Sequence, residues 1–325
     1  MRSRSQSTTL LIVAAFATVY VVWGSTYWAI KVALDSFPPF ALGAIRYLIA
    51  AGLMLGVLAA TGTARPTREH WKAAAITGTL LLLLGNGAVI FAEQRAPTGL
   101  VALIVASAPL WIVLFDWLRP TGIRPERMVF AGLGAGTLGI LLLVDPSGSV
   151  GSGVPLRETG LLLVGAMAWS AGSLWSRHSK VTGSAMVLVA LQMLVAGILF
   201  SGLSFATGEL GRLAPARVTL ESVLALGYLI LFGSIIAFTA YVWLMRVASP
   251  AAVSTYAYVN PVVALTIGTA IGGELLTPRT MVAAAVLLGA VVLITGGPAL
   301  RARLTDRRTD GPTDAGPLYE GVEVG

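Results

Sequence analysis

The chain has 325 residues, 56% of them hydrophobic and 11% charged, with a formal net charge of +7 and a mean hydropathy of +0.83. A soluble domain carries roughly 25% charged residues, so this chain cannot dress a water-facing surface in the usual way, and its basic excess belongs beside a bilayer before it suggests nucleic acid. The lack of cysteine excludes disulfides, thiolate metal sites and cysteine nucleophiles.

Ten apolar runs follow one another, at about 9–30, 38–60, 73–92, 97–118, 128–144, 159–176, 183–206, 219–244, 250–272 and 280–298. A spanning helix needs ~20 mostly apolar residues, so each run can cross a membrane upright or tilted, with 128–144 and 159–176 the shortest. The start, with Arg2 and Arg4 ahead of apolar residues, is similar to a signal peptide, yet its run continues through Trp23 to Ile30 and reads as a retained first span. Asp145 to Gly153 is Gly/Ser-rich and reads as flexible. A linker at 145–158 therefore separates a first half, 8–144, from a second, 159–298, each with five spans. The polar stretch 299–325 is expected to be a disordered cytoplasmic tail.

Lys and Arg are biased toward cytoplasmic loops. With the amino terminus inside, 15 of the 22 basic residues fall on inner segments and 6 on outer loops, leaving Arg46 within a span. Adding or removing one span would scramble that bias. The expected protein is therefore all-α and integral to a cell membrane, a bacterial inner membrane, with both termini cytoplasmic.

The halves echo each other. Trp23-Gly24-Ser25 in span 1 matches Trp169-Ser170-Ala171 in span 6, and Ala108-Pro109 in span 4 matches Asn260-Pro261 in span 9. Five spans is an odd number, so the second copy enters from the opposite face and the repeat is inverted. Inverted repeats with interrupted spans at matching positions point to a carrier whose site lies near the midplane. Pro109 and Pro261 each remove a backbone donor within a span and are the candidate hinges, with packing kinks as the plainer alternative.

Arg46 lies roughly 12 Å below the outer end of span 2 at ~1.5 Å per residue, where it cannot face lipid comfortably. Glu93 is the acid nearest in depth, so the two form the candidate coupling or structural ion pair. Lys31, Glu93 and Glu274 all fall near outer helix ends, where long side chains reach water. Trp23 and Tyr27 share a face of span 1, and Tyr256 and Asn260 share a face of span 9. Asn86 and Gln192 are costly in lipid and face inward. His70 and His178 fall in cytoplasmic loops, which leaves no histidine relay across the membrane. Gly134 to Gly139 matches GxGxxG but lies inside an apolar span, and the Gly132/Gly136 pair reads instead as close helix packing. No nucleotide, metal or hydrolase motif is present, so no cofactor or metal is expected.

Trp23-Gly24-Ser25-Thr26, Lys31, Pro38-Pro39 and Arg46, followed by Gly233 to Ala237 and Tyr256 to Ala264 with Gly272-Gly273-Glu274, resemble EamA-type carriers of the drug/metabolite transporter superfamily. The likeness covers about 8–298. It implies ten spans in two inverted repeats around a central cavity, and export or exchange of a small metabolite or drug-like molecule. It also implies that Trp23, Tyr27, Asn86, Trp169, Tyr256 and Asn260 line the substrate site. The chain departs from the family pattern at the inner end of span 4, where Asp116 stands in place of a frequent glutamate. The expected function is a secondary transporter working by alternating access, with a small-molecule substrate, the lipid bilayer and a coupling ion or counter-substrate as partners, and no nucleic acid. A membrane-embedded enzyme using Arg46 and Glu93 on a lipid-phase substrate is the alternative, and a passive channel a third.

Overall fold

The computed structural model describes residues 2–63, 66–120, 125, 127–145, 153–179, 181, 184–213, 216, 218–248, 250–253 and 255–309. Helix dominates because apolar runs of this length can satisfy their own backbone only as helix once water is excluded. The first half contains α1 (Arg2–Leu34), α2 (Pro39–Ala60), α3 (Arg68–Thr77), a π-helical segment (Gly78–Asn86), α4 (Gly87–Ala92), α5 (Thr98–Val105), α6 (Ala108–Trp117) and α7 (Arg127–Leu143). The second contains α8 (Leu156–His178), α9 (Ala185–Ala206), α10 (Leu220–Tyr228), a second π-helical segment (Leu229–Ile236), α11 (Ala237–Val247), α12 (Pro250–Val253), α13 (Tyr256–Ala270) and α14 (Pro278–Thr309).

Six helical stretches among the described residues are long and apolar enough to cross a membrane: Thr9–Leu34, Pro39–Ala60, Arg68–Ala92, Thr98–Trp117, Ala185–Ala206 and Leu220–Val247. Met128–Leu143 and Pro278–Leu293 are apolar but shorter. The outward-facing residues fit lipid: Leu53, Val57, Leu138, Leu141, Val164, Ile198 and Leu224 are all more than half exposed.

The order of elements is the same in both halves: two long helices, a helix with a π-helical segment inside it, a helix broken in two, and a last helix. Their packing matches as well. α2 lies against α9 and α7 against α14; α1 packs on α13 as α8 packs on α5 and α6; α1 meets the π-bearing helix of the second half as α8 meets that of the first. A small residue permits each close approach. A Cβ built on Gly24 of α1 would sit 2.5 Å from Cβ of Val263 in α13, and one on Gly165 of α8 would sit 2.5 Å from Cβ of Ala88 in α4. Gly136 and Gly139 press α7 against Leu110 and Leu287, so two of the three glycines of the GxGxxG run serve close packing, whereas Gly134 meets nothing within 4 Å.

The expected linker is shorter than 145–158. Val144–Asp145 pairs in parallel with Val154–Pro155, and α8 opens at Leu156; 146–152 lie outside the described residues. The last helix runs to Thr309, well into the stretch expected to be disordered, because 299–309 hold Ala, Leu and Arg, which favour helix; 310–325 lie outside the described residues. His70 sits at the start of α3, where it forms a reciprocal cap with Thr67, and His178 ends α8.

Candidate functional site

The π-helical segments bring the site together. A π turn rotates the side chains that follow it, and such turns concentrate at functional positions. Leu82, Gly85 and Asn86 from the first segment and Gly233 and Ser234 from the second line one cavity of about 780 Å³, a volume that includes open space at its mouth. Walls from α1, α2, α4, α5, α6, α8, α9, α11 and α13 complete it, so both halves contribute.

Arg46 bridges the two segments. Its Nε donates to Ser234 Oγ at 2.8 Å and its Nη1 to Asn86 Oδ1 at 3.1 Å. Asn86 Oδ1 also accepts from the Tyr47 hydroxyl at 2.8 Å, and the guanidinium lies 5.0 Å from the centre of the Tyr47 ring. Arg46 is only 3% exposed, and no carboxylate among the described residues lies within ion-pair distance of it. A buried cation balanced by neutral dipoles and a ring face leaves a positive field in the cavity it lines.

An aromatic cluster closes one side. Trp23 stands edge-on to Trp169 and Tyr256, with centroids 5.6 and 5.5 Å apart, and lies 5.0 Å from Tyr241. Polar edges tie the rings down, as buried Trp and Tyr require: Trp169 Nε1 donates to the Tyr256 hydroxyl at 3.1 Å, and Trp23 Nε1 donates to the Gly233 carbonyl at 3.2 Å. With its amide nitrogen turned toward acceptors, Asn260 donates to the carbonyls of Tyr20 and Tyr256 at 3.1 and 3.3 Å, fastening the α13 turn beside Pro261.

The structure places Trp23, Tyr27, Asn86, Trp169, Tyr256 and Asn260 together on the wall of this cavity, with Arg46 among them. The two prolines occupy different settings. Pro109 stands in the first turn of α6, just after the break at Ala106 and Ser107, where its missing N–H is not needed. Pro261 is inside α13, and the interruption precedes that helix. The Ser170 hydroxyl, 2.8 Å from the Ala108 carbonyl, braces the first break from α8.

The expected Arg46–Glu93 pair is not formed. Depth along two spans matched them, but azimuth did not: Arg46 turns toward Asn86 and Ser234, and both carboxylate oxygens of Glu93 lack a hydrogen-bond partner. Glu93 is also buried rather than solvated, at 1% exposure, with Lys31, Glu274 and Arg46 as the charges acting on it. Glu274 is not a free helix end either. It accepts from the backbone N–H groups of Thr98 and Gly99 at 2.6 and 3.2 Å, capping α5. Glu209 does the same for α2 through Phe40 and Ala41. Lys31 extends toward the Ala96 carbonyl. Sequence reasoning missed Ser234, Tyr47 and Tyr241 at the site; a small polar residue in mid-span, as at Ser234, was the one signal available.

The EamA-like transporter family matches residues 9–145 and 157–296, one copy on each half. An uncharacterized inner membrane transporter, YedA, of Escherichia coli K12 is 40% identical over 290 residues, covering 89% of this chain and 92% of its own length. A probable amino-acid metabolite efflux pump of Salmonella typhimurium is 25% identical over 299 residues, 86% of this chain and 90% of that protein. A solved crystal structure superimposes with a TM-score of 0.63 at 22% identity, covering 91% of this chain and 99% of its own, a likeness of fold. A two-part match over most of the chain, on helices that meet around a shared cavity, makes this chain a member of the EamA-like transporter family.

Proposed function

We propose that the chain is a secondary carrier that moves a small metabolite or drug-like molecule, by export or exchange, through alternating access around the Arg46 cavity. Ten crossings in two inverted five-helix repeats, 8–144 and 159–298, form the carrier, with both termini cytoplasmic in a bacterial inner membrane. The matched order of elements in the two halves supports that arrangement, since an odd number of crossings inverts the second copy. Within the cavity Trp23, Tyr27, Asn86, Trp169, Tyr256 and Asn260 contact substrate, and Pro109 and Pro261 stand beside the bends about which the halves move.

The observation that carries this reading is the bridge from Arg46 to Asn86 and Ser234. One buried cation links the π-helical segments of the two halves and lines the cavity between them, so a ligand that engages it acts on both halves at once. It also favours a substrate with an anionic group. The enzyme alternative required Arg46 and Glu93 to converge, and no ion pair joins them among the described residues.

Reconstitution tests this function. Proteoliposomes preloaded with a substrate should take up its radiolabelled form faster than unloaded ones, as a carrier's trans-stimulation demands. Uptake that is indifferent to internal substrate makes the protein a channel and removes the proposal.

A further inference from the structure

Glu93 stands one turn beyond the central cavity and takes no part in its hydrogen bonds. Asn86, Val89 and Glu93 share one face of the third span; the first two line the cavity, and Glu93 is the next turn out. On α1, Lys31 likewise lies one turn beyond Tyr27 of the cavity wall. At this end the two halves are fastened to each other. Glu274, from the second half, accepts from the Thr98 and Gly99 backbone at the start of α5, and Glu209, also from the second half, from the Phe40 and Ala41 backbone at the start of α2. On the orientation proposed above, both fastenings are on the outer side.

The Glu93 carboxyl is sealed and uncompensated. It is 1% exposed, and neither oxygen has a hydrogen-bond partner among the described residues. The charged and titratable groups that face it are Lys31 and Tyr27 from α1, Arg46 from α2 and Glu274 from the turn after α13; on α8, which also packs on α4, Glu158 engages Arg95 instead. None of these makes an ion pair with it among the described residues. Lys31 Nζ reaches the Ala96 carbonyl, and Arg46 is committed to Asn86 and Ser234. A carboxylate stripped of water, hydrogen bonds and a contact cation neutralises by binding a proton, whereas the same group in water is ionised. Glu93 is therefore buried as the acid, and the outer side closes over it only once a proton is bound.

We propose that Glu93 is the proton site that couples the carrier. Its carboxylate takes one proton from the outer water, forming an O–H bond, as the outer side closes; that bond breaks and the proton passes to the water of the central cavity once the inner side opens. One proton moves inward per cycle, with no change of oxidation state. The inference rests on the carrier reading and supplies its coupling ion.

The test needs no substrate. Thr26→Cys places a single thiol on the cavity wall, and impermeant maleimide is applied to the outside of sealed right-side-out vesicles. One proton shifts a two-state balance by up to about tenfold per pH unit. Raising the external pH by about two units at constant internal pH should increase labelling at least about threefold; raising only the internal pH should lower it, because the proton leaves inward and holds the inner side open. Glu93→Gln, a neutral group of the same shape, should make labelling insensitive to both changes, and at each pH it corrects for ionisation of the thiol itself. Infrared spectra should show a protonated-carboxyl absorption in the Thr26→Cys protein that the Glu93→Gln variant lacks. The two pH arms on the Thr26→Cys protein decide the matter even where Glu93→Gln folds poorly. Labelling from both faces that ignores pH removes the proton site and leaves the carrier. An external effect without the internal one makes Glu93 a gate that couples nothing and overturns the proposal, as does labelling that follows sodium when sodium replaces choline at constant pH. Labelling from one face only at every pH removes the carrier reading itself.

Discussion

Replacing Arg46 with methionine separates a functional cation from a structural one. Arg46 makes two hydrogen bonds from a charged donor, worth about 1.5–3 kcal/mol each, and stacks on Tyr47 for about 0.5–2 kcal/mol. Opposing these is the cost of keeping a guanidinium at 3% exposure without an acid, several kcal/mol for a buried ion on its own. The opposing contributions are of similar size, and methionine fills most of the vacated volume, so Arg46→Met should change stability by less than about 2 kcal/mol. At roughly 2–4 °C per kcal/mol for a chain of 150–250 residues, the melting temperature should move by only a few degrees. Counterflow should fall at least about thirtyfold, the loss expected when one side of a buried charged contact with substrate is removed. Melting curves in detergent and counterflow in proteoliposomes measure the two quantities on one preparation. A fall in melting temperature beyond about 10 °C would mark Arg46 as a structural keystone of ~3–5 kcal/mol, and unimpaired counterflow would show that substrate does not meet it; either result refutes the reasoning.

Other perturbations follow from the same geometry. Exchanging the residues, as Arg46→Glu with Glu93→Arg, should restore nothing relative to either single change, because the two side chains are not paired; rescue of counterflow by the double exchange would reinstate the pair. Gly24→Ala forces a Cβ to within 2.5 Å of Val263 and should destabilise by about 1–3 kcal/mol, whereas Gly52→Ala meets nothing within 4 Å and should be neutral or stabilising by up to ~1 kcal/mol in the helix. Equal melting temperatures for those two variants would contradict the α1–α13 contact. Glu274→Ala strips α5 of its carboxylate cap and should cost about 1–2 kcal/mol with the transport preference unchanged; a change of preference at full stability would place Glu274 at the substrate. Trp169→Phe removes the indole donor to Tyr256 and should alter affinity or selectivity in uptake competition, and wild-type competition would count against the aromatic wall.

Run length was the legible part of the fold. Hydropathy and its polar interruptions located α2 and α9 to within two residues, because lipid imposes length and self-satisfied backbone on a span, whereas α1 starts seven residues before its expected run and α14 ends eleven residues after its own. The echo of Trp23 in Trp169 and of Pro109 in Pro261 also pointed to one shared cavity, and helical spacing put Trp23 with Tyr27 and Tyr256 with Asn260 on common faces. The π-helical segments were not legible, since no residue type marks the extra residue in Gly78–Asn86 or Leu229–Ile236, and they decide which way Asn86 and Ser234 face. For the same reason Arg46 was matched to the wrong partner: spacing along a span gives depth, whereas rotation about the helix depends on tertiary packing. The caps that Glu209 and Glu274 place on α2 and α5 join residues more than 160 positions apart, beyond any local pattern.

The absence of native cysteine allows the central claim to be tested on a single introduced thiol. Thr26→Cys places one on the cavity wall close to the size of the original side chain. Membrane-impermeant maleimide is applied from the outside of right-side-out vesicles and, separately, to the exposed cytoplasmic face of inverted ones. A cavity that opens to each side in turn predicts labelling from both faces, slowed on each by transported substrate. Labelling from one face only, under every substrate condition, would contradict alternating access around Arg46.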